Sequence, residues 1–259
     1  MTSSPERRFE CYVALGDSST EGLDDPDENG GYRGWSRRLA ERIVEAQGSL
    51  AYTNLGVRGL TTRQIRERQL APALELRPDL ATVFSGTNDV IARRRFDVAA
   101  VSRDMEAMQR ALIASGATVL TFTLPDLTPV MPLARLIAHR IRALNQALRA
   151  VSAGTGAILL DFAAYPVGSD PRIWSPDRIH ANAAGHQRIA DALAHALELA
   201  GTDDSWGRPL PALANKSPWE WLGAELTWTR RYLLPWIGQS LRSRVAPSRK
   251  GGRQDEPSR

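Results

Sequence analysis

Short β-rich runs alternate with amphipathic helical stretches from about residue 10 to about residue 200, and no other feature of the chain narrows the possible folds as far. Strands of this kind bury their apolar sides as βαβ units on a parallel sheet with helices over its faces. The strands read as Glu10 to Leu15, Leu50 to Leu55, Asp79 to Ser85, Thr118 to Leu124 and Ala157 to Asp161. Between them, four sets of apolar residues recur at helical spacing: Leu39 and Ile43; Val101, Met105, Met108 and Leu112; Leu133, Ile137, Ile141, Leu144 and Leu148; Ile189, Leu193 and Leu197. The spacing assigns all of them to the core. Gly116 and Gly156 stand where helices should stop before the next strand. At 259 residues the chain has length for one such domain plus an appendage.

Right-handed crossovers put the carboxyl ends of all the strands on one rim, where open α/β sheets place their ligands. The first strand runs through Val13, Ala14 and Leu15 into Gly16-Asp17-Ser18. After the second comes a loop containing Gly59, after the third Gly86-Thr87-Asn88-Asp89, and after the fifth, by a longer loop, Asp177-Arg178-Ile179-His180. A serine hydroxyl is a weak nucleophile until a base takes its proton. A histidine can do this when a carboxylate fixes its tautomer. Asp177 and His180 are three residues apart, so one turn can bring carboxylate to imidazole. Charge developing on a substrate oxygen needs fixed donors, and the backbone N–H groups of Ser18 and Gly59 with the amide of Asn88 could supply them.

In these residues the chain resembles the SGNH (GDSL-type) serine hydrolase superfamily over roughly residues 10 to 200. The resemblance is carried by Gly16-Asp17-Ser18, Gly59, Gly86-Thr87-Asn88-Asp89 and Asp177-x-x-His180. It implies a three-layer α/β/α sandwich on a flavodoxin-like sheet of five parallel strands, with no metal and no cofactor. It also implies Ser18 as nucleophile, Asp177 and His180 as its triad partners, and an oxyanion hole of Ser18, Gly59 and Asn88. Asp17, Gly86 and Asp89 are expected to support these groups. Ser19 stands where many members have leucine, and Ala181 follows the histidine where proline is common. The expected function is hydrolysis of carboxylic esters, with short acyl groups favoured because no inserted lid is visible. Carbohydrate deacetylation or acyl transfer by the same triad is the alternative, and a membrane-surface or protein-binding module on a hydrolase scaffold is a second. Met131 and Trp174, on the two longest loops, are candidate substrate-pocket walls.

Other patterns read as structural. Asp177, His180 and His186 are of zinc-ligand type but lack a fourth ligand. His139 and His195 read as surface residues. Asp25-x-Asp27-x-Asn29-Gly30 copies half of a calcium loop, but Ser36 stands where the closing Glu belongs, so a solvated acidic loop is expected. Arg93-Arg94-Arg95 reads as a solvated turn. The single cysteine, Cys11, excludes an internal disulfide and reads as a small apolar residue of the first strand.

Residues 1–200 carry 23 Lys/Arg and 23 Asp/Glu, whereas residues 201–259 carry 10 and 6, so the formal charge of +4 belongs to the C-terminal part. No nucleic-acid motif accompanies it, and no nucleic-acid partner is expected. The N-terminal residues 1–9 form a tail without a signal-like apolar segment, and a cytoplasmic protein is expected. Five of seven tryptophans (Trp206, Trp219, Trp221, Trp228 and Trp236) lie in an extension spanning 201–246, where Pro218 to Arg244 reads as a helix bent at Pro235. Its apolar side is Trp219, Leu222, Leu226, Leu233, Trp236, Ile237 and Leu241, and Arg230, Arg231, Arg242 and Arg244 supply charge. Such a helix packs on the body or lies peripherally in a membrane interface. Residues 247–259 read as a disordered basic tail.

Overall fold

The computed structural model describes residues 8–92, 96–211, 223 and 225–235. Five strands, β1 (Cys11–Gly16), β2 (Ala51–Asn54), β3 (Leu80–Phe84), β4 (Thr118–Phe122) and β5 (Ile158–Leu160), form one sheet in the order β2-β1-β3-β4-β5. Every pairing is parallel. All five runs read from the sequence are strands: four are shorter than read, and the first is shifted one residue on, to Cys11–Gly16. Just before β3, Asp79 ties three strands together: its carboxylate accepts the N–H groups of Glu10 (2.7 Å) and Cys11 (2.9 Å), and its backbone bonds Cys11 and Thr118. Strand order reverses between β1 and β3, the switch point at which such sheets open a crevice. Leu15 lies opposite Val83 and Gly16 opposite Phe84, so these two strands end level with one another at that crevice.

The helices are α1 (Ser18–Glu21), α2 (Gly34–Gln47), α3 (Thr62–Glu75), α4 (Thr87–Ala92), α5 (Val98–Ala114), α6 (Ala138–Thr155) and α7 (Ala183–Ala196). α2 packs with α7, and α5 packs with both α3 and α6, which gives helical layers on the two faces of the sheet. Leu39 and Ile43 of α2, Met105, Met108 and Leu112 of α5, Leu144 of α6 and Leu193 of α7 are all buried against it. Between β3 and β4 the core is aromatic: Phe84 stacks on Phe122 with ring centres 4.0 Å apart, and Trp35 meets Phe122 edge-on at 5.2 Å. Gly156 caps α6 in the left-handed conformation, and Gly116, also left-handed, follows the end of α5.

Two sequence expectations about packing are corrected. Leu133 is not core. A 3₁₀ turn starting at Pro132 (Pro132–Leu136) breaks the apparent helical run before α6, and Leu133 is 43% exposed. Trp206 does not belong to a separate extension. The compact first unit runs from Met1 to Pro211, and Trp206 is buried in its core, 4.3 Å from the ring of Tyr165.

The second unit spans Ala212–Arg259. Within it, residues 225–235 are helical, with a wide turn at Thr229–Leu233. Its closing bond runs from Leu234 N–H to the Thr229 carbonyl, one residue longer than an α-helical bond, directly before Pro235. A proline ring crowds the carbonyl four residues back, and a locally widened helix relieves this. The rest of the tryptophan-rich helix read from the sequence, the tail from 247 and Arg93-Arg94-Arg95 lie outside the described residues. No described helix is long and apolar enough to cross a membrane.

Candidate active site at the β1–β3 switch point

Ser18 opens α1 immediately beyond β1, because Asp17 caps that short helix through its side chain, accepting the N–H of Ser19 at 3.0 Å. Standing at the first helical position, the Ser18 N–H has no acceptor within the helix. The end of β1 is fixed by a residue that the sequence did not single out, Gln69. From the inner face of α3 it accepts the Gly16 N–H at 2.8 Å and donates to the Gly16 carbonyl at 2.9 Å. Its only sequence signal is position: with Ile65 and Ala73 it forms the i, i+4, i+8 stripe that α3 buries.

The longer loop after β5 delivers the histidine. Ser18 Oγ lies 2.8 Å from His180 Nε2, and His180 Nδ1 lies 2.6 Å from Asp177 Oδ2. The other carboxylate oxygen, Asp177 Oδ1, accepts the Ser175 hydroxyl (2.7 Å) and the N–H groups of Ile179 (2.9 Å) and His180 (3.0 Å). This turn therefore orients carboxylate and imidazole together. Burial opposes the Asp177 charge, but the His180 hydrogen bond and charge overcome it and bring the carboxyl down to about 2. For His180, burial opposes protonation. The hydrogen bond and charge of Asp177, with lesser help from Asp24 and Asp17, outweigh it and hold the imidazole above its ordinary value. A proton on Nδ1 facing Asp177 leaves the Nε2 lone pair for the serine hydroxyl. The hydroxyl, imidazole and carboxylate thus form a continuous chain able to draw a proton from Ser18.

Gly59 adopts φ +79°, in the left-handed region, with open space where a Cβ would point. Asn88, at the start of α4, is already hydrogen-bonded. Its amide donates to Asp17 Oδ2 (3.2 Å) and to the Leu60 carbonyl (3.0 Å), so both hydrogens are engaged. Asp17 is fully buried beneath it. Burial pushes its carboxyl up to about 6, against the Ser19 N–H bond and the His180 charge. Asp89 accepts the N–H and hydroxyl of Thr62, both at 2.8 Å, and so braces the start of α3 behind the loop that carries Gly59. Gly86 has φ +112°, and a Cβ there would fall 2.6 Å from the Leu144 side chain, so only glycine fits this turn into α4.

An apolar cavity of about 40 Å³ opens beside Ser19, Thr87, Ile179 and Ala181, the chain neighbours of Ser18, Asn88 and His180. Its walls include Phe84, Phe122, Leu127, Phe162 and Trp174. Trp174 is held in place by an indole N–H bond to the Gly168 carbonyl at 3.0 Å. Met131, the other candidate wall, is buried but does not line this cavity.

His186 is not grouped with Asp177 and His180 as a metal ligand. Its Nδ1 accepts the Trp35 N–H (3.1 Å), which leaves its proton on Nε2, where it is donated to the Leu23 carbonyl (3.0 Å). Burial holds this ring below its ordinary value. Among the described residues the one cluster of metal-ligand type is Asp24, Asp177 and His180, in which Asp177 and both His180 nitrogens already serve the chain just described. The half calcium loop is not a solvated acidic turn. Asp25 is buried and accepts a forked pair of bonds from Arg38 (2.8 and 2.9 Å), while Asp27 accepts the N–H groups of Asn29 and Gly31. His139 and His195 are exposed.

Five parallel strands in this order, flanked by helices, make an α/β/α fold of the SGNH hydrolase class. Residues 14–188 match the model of the GDSL-like Lipase/Acylhydrolase family, and the chain belongs to that family of enzymes. Solved structures agree on the fold. LAE5, an alpha/beta hydrolase enzyme from the metagenome of Lake Arreo, is 23% identical with a TM-score of 0.62, covering 73% of this chain and 95% of its own. The lipase/acylhydrolase from Enterococcus faecalis is 23% identical with a TM-score of 0.60, over 79% of this chain and 100% of its own. A catalytic mutant of Axe2, an acetylxylan esterase from Geobacillus stearothermophilus, is 16% identical with a TM-score of 0.61, over 78% of this chain and 97% of its own. A comparison with curated proteins found no match.

Proposed function

We propose that the chain hydrolyses carboxylic esters of small acyl groups through an acyl-enzyme on Ser18. One observation carries the reading: the uninterrupted contacts from Ser18 Oγ to His180 Nε2 (2.8 Å) and from His180 Nδ1 to Asp177 Oδ2 (2.6 Å). His180 takes the Ser18 proton as the oxygen attacks the ester carbonyl, and the imidazolium is stabilised by Asp177. The Ser18 and Gly59 N–H groups receive the developing oxyanion. Asn88 joins them by exchanging its longer bond, that to Asp17, for the substrate oxygen. His180 then protonates the leaving alcohol. In the second half, the same nitrogen deprotonates a water that attacks the acyl-enzyme, and the acid is released as the proton returns to Ser18.

The cavity supports the acyl preference. Its volume of about 40 Å³ has room for about three water-sized groups. An acetyl or propionyl group fills that space, and a long chain does not fit without moving an aromatic wall. The cavity's size also favours a second reading within ester hydrolysis, deacetylation of a carbohydrate, which is the activity named for Axe2. Hydrolysis of a p-nitrophenyl ester series, acetyl to decanoyl, by wild type and Ser18→Ala tests the first reading. Loss of activity in the variant and decline beyond propionyl are expected, and equal rates in the two proteins would remove Ser18 as nucleophile. Faster acetate release from acetylated xylo-oligosaccharides than from p-nitrophenyl acetate would select the carbohydrate reading.

A further inference from the structure

Asp24 is an exposed carboxylate that the reaction scheme above leaves unused. One of its oxygens lies within 4.8 Å of both a ring nitrogen of His180 and a carboxylate oxygen of Asp177. It sits there at φ +69°, a left-handed backbone conformation that costs a non-glycine residue energy. Its two chain neighbours explain how this conformation persists. On one side the Leu23 carbonyl is held by the buried His186 ring at 3.0 Å. On the other side the buried Asp25 carboxylate is clamped by Arg38 at 2.8 and 2.9 Å and accepts the Gly34 N–H at 3.1 Å. With residues 23 and 25 pinned to the body, the backbone at 24 has no relaxed alternative, and its side chain projects towards the histidine.

We infer that Asp24 is a positioning residue for His180, a second carboxylate held beside the imidazole that stabilises the imidazolium formed in each half of the acyl-transfer cycle. The inference rests on the reading of His180 as the base. Three acidic groups act on that imidazole: Asp177 from its own loop, Asp17 from the end of β1, and Asp24 from the segment after α1. His186, on α7, is a weaker basic neighbour. Of the three carboxylates, Asp177 is in direct contact and Asp17 is fully buried, so Asp24 is the one whose influence passes largely through water. It should therefore be modest and sensitive to salt.

The experiment compares wild type with Asp24→Asn and Asp24→Gly. Asparagine tolerates the left-handed conformation and keeps the side chain's shape, while glycine removes both side chain and strain. The pH dependence of kcat/KM on p-nitrophenyl acetate is read together with the NMR titration of the His180 ring, assigned with a His180→Gln variant. Both substitutions should lower the acid limb and the His180 titration by about half to one pH unit at low salt, the scale of a screened charge at this distance. In 1 M salt the wild type should approach the variants. Thermal midpoints should separate the two substitutions, with glycine the more stable, although their titrations agree. An unmoved His180 titration in both variants, or a shift in glycine alone, would overturn the inference. The NMR arm reports on Asp24 even if Ser18→Ala shows that Ser18 is not the nucleophile, so the two failures are distinguishable.

Discussion

Substituting Asp177 by Asn tests the proposed proton path at its most determined point. The Asp177 Oδ1 position accepts three bonds, and an asparagine oxygen placed there keeps them. The amide nitrogen must then occupy the Oδ2 position, 2.6 Å from His180 Nδ1, with a donor where the wild type has an acceptor. The imidazole responds by moving its proton to Nε2, the nitrogen that must take the Ser18 proton. A base held in the wrong tautomer costs roughly 10⁴ in kcat, or about 5 kcal/mol of transition-state stabilisation. The pH profile should move as well. The wild-type imidazole is held above its ordinary value by Asp177 against burial, so with the carboxylate gone burial prevails and the acid limb falls below its wild-type position. Stability gives a third readout. The Asp177 carboxyl lies at about 2 in the folded protein against an ordinary 3.8, with the side chain only 23% exposed. A depressed carboxyl contributes stability that is present above pH ~4 and is lost as pH falls towards ~2, here on the order of 2 kcal/mol. That energy is shared with His180 and counted once. Stopped assays with p-nitrophenyl acetate across pH, and urea unfolding at pH 7 and near pH 2, measure all three effects. A loss of activity below tenfold with an unmoved acid limb would refute the reasoning.

Two other substitutions separate competing roles of single residues. Asn88→Ala should lower kcat by 10²–10³, the usual cost of one oxyanion donor. A fall of less than threefold with a clear loss of thermal stability would confine Asn88 to its bonds with Asp17 and Leu60. Trp174→Ala removes a cavity wall together with its anchor to Gly168, and should shift the preferred p-nitrophenyl ester from acetyl towards butyryl or hexanoyl. An unchanged chain-length profile would place the acyl group elsewhere.

Much of the fold could be read in advance because the deciding information was local. β1 and β3 are nearly continuous apolar runs, interrupted in β3 only by Thr82, as strands covered on both faces tend to be, and Gly116 and Gly156 mark helix ends by the conformation that only glycine adopts cheaply. Leu133 misled for the complementary reason. Its spacing continues the α6 stripe, and only Pro132, by starting a separate turn, shows that the stripe had ended. α3 left little periodic signal, since its buried stripe includes Gln69 and it carries Pro72 inside. The polar residue that weakened the pattern is the one that clamps Gly16.

The same contrast holds at the rim. That Ser18, Asp177 and His180 would meet could be anticipated from the sequence because each lies in a short motif following a strand's carboxyl end, and the parallel topology brings those ends together. Asp24, Asp25 and Gln69 act through contacts that no local pattern encodes. Asp25 read as part of a solvated acidic loop, yet it is a buried anchor, because Arg38, thirteen residues on, forms an ion pair with it. A buried carboxylate that lost this partner would be left uncompensated, at a cost of several kcal/mol. The loop therefore has little freedom to relax, and Asp24 is kept in the left-handed conformation beside the histidine. The cost of organising this rim is thus carried by buried polar pairs one layer behind Ser18, His180 and Asp177. Sequence spacing alone misreads such pairs, because their meaning depends on which strand ends the sheet has brought together.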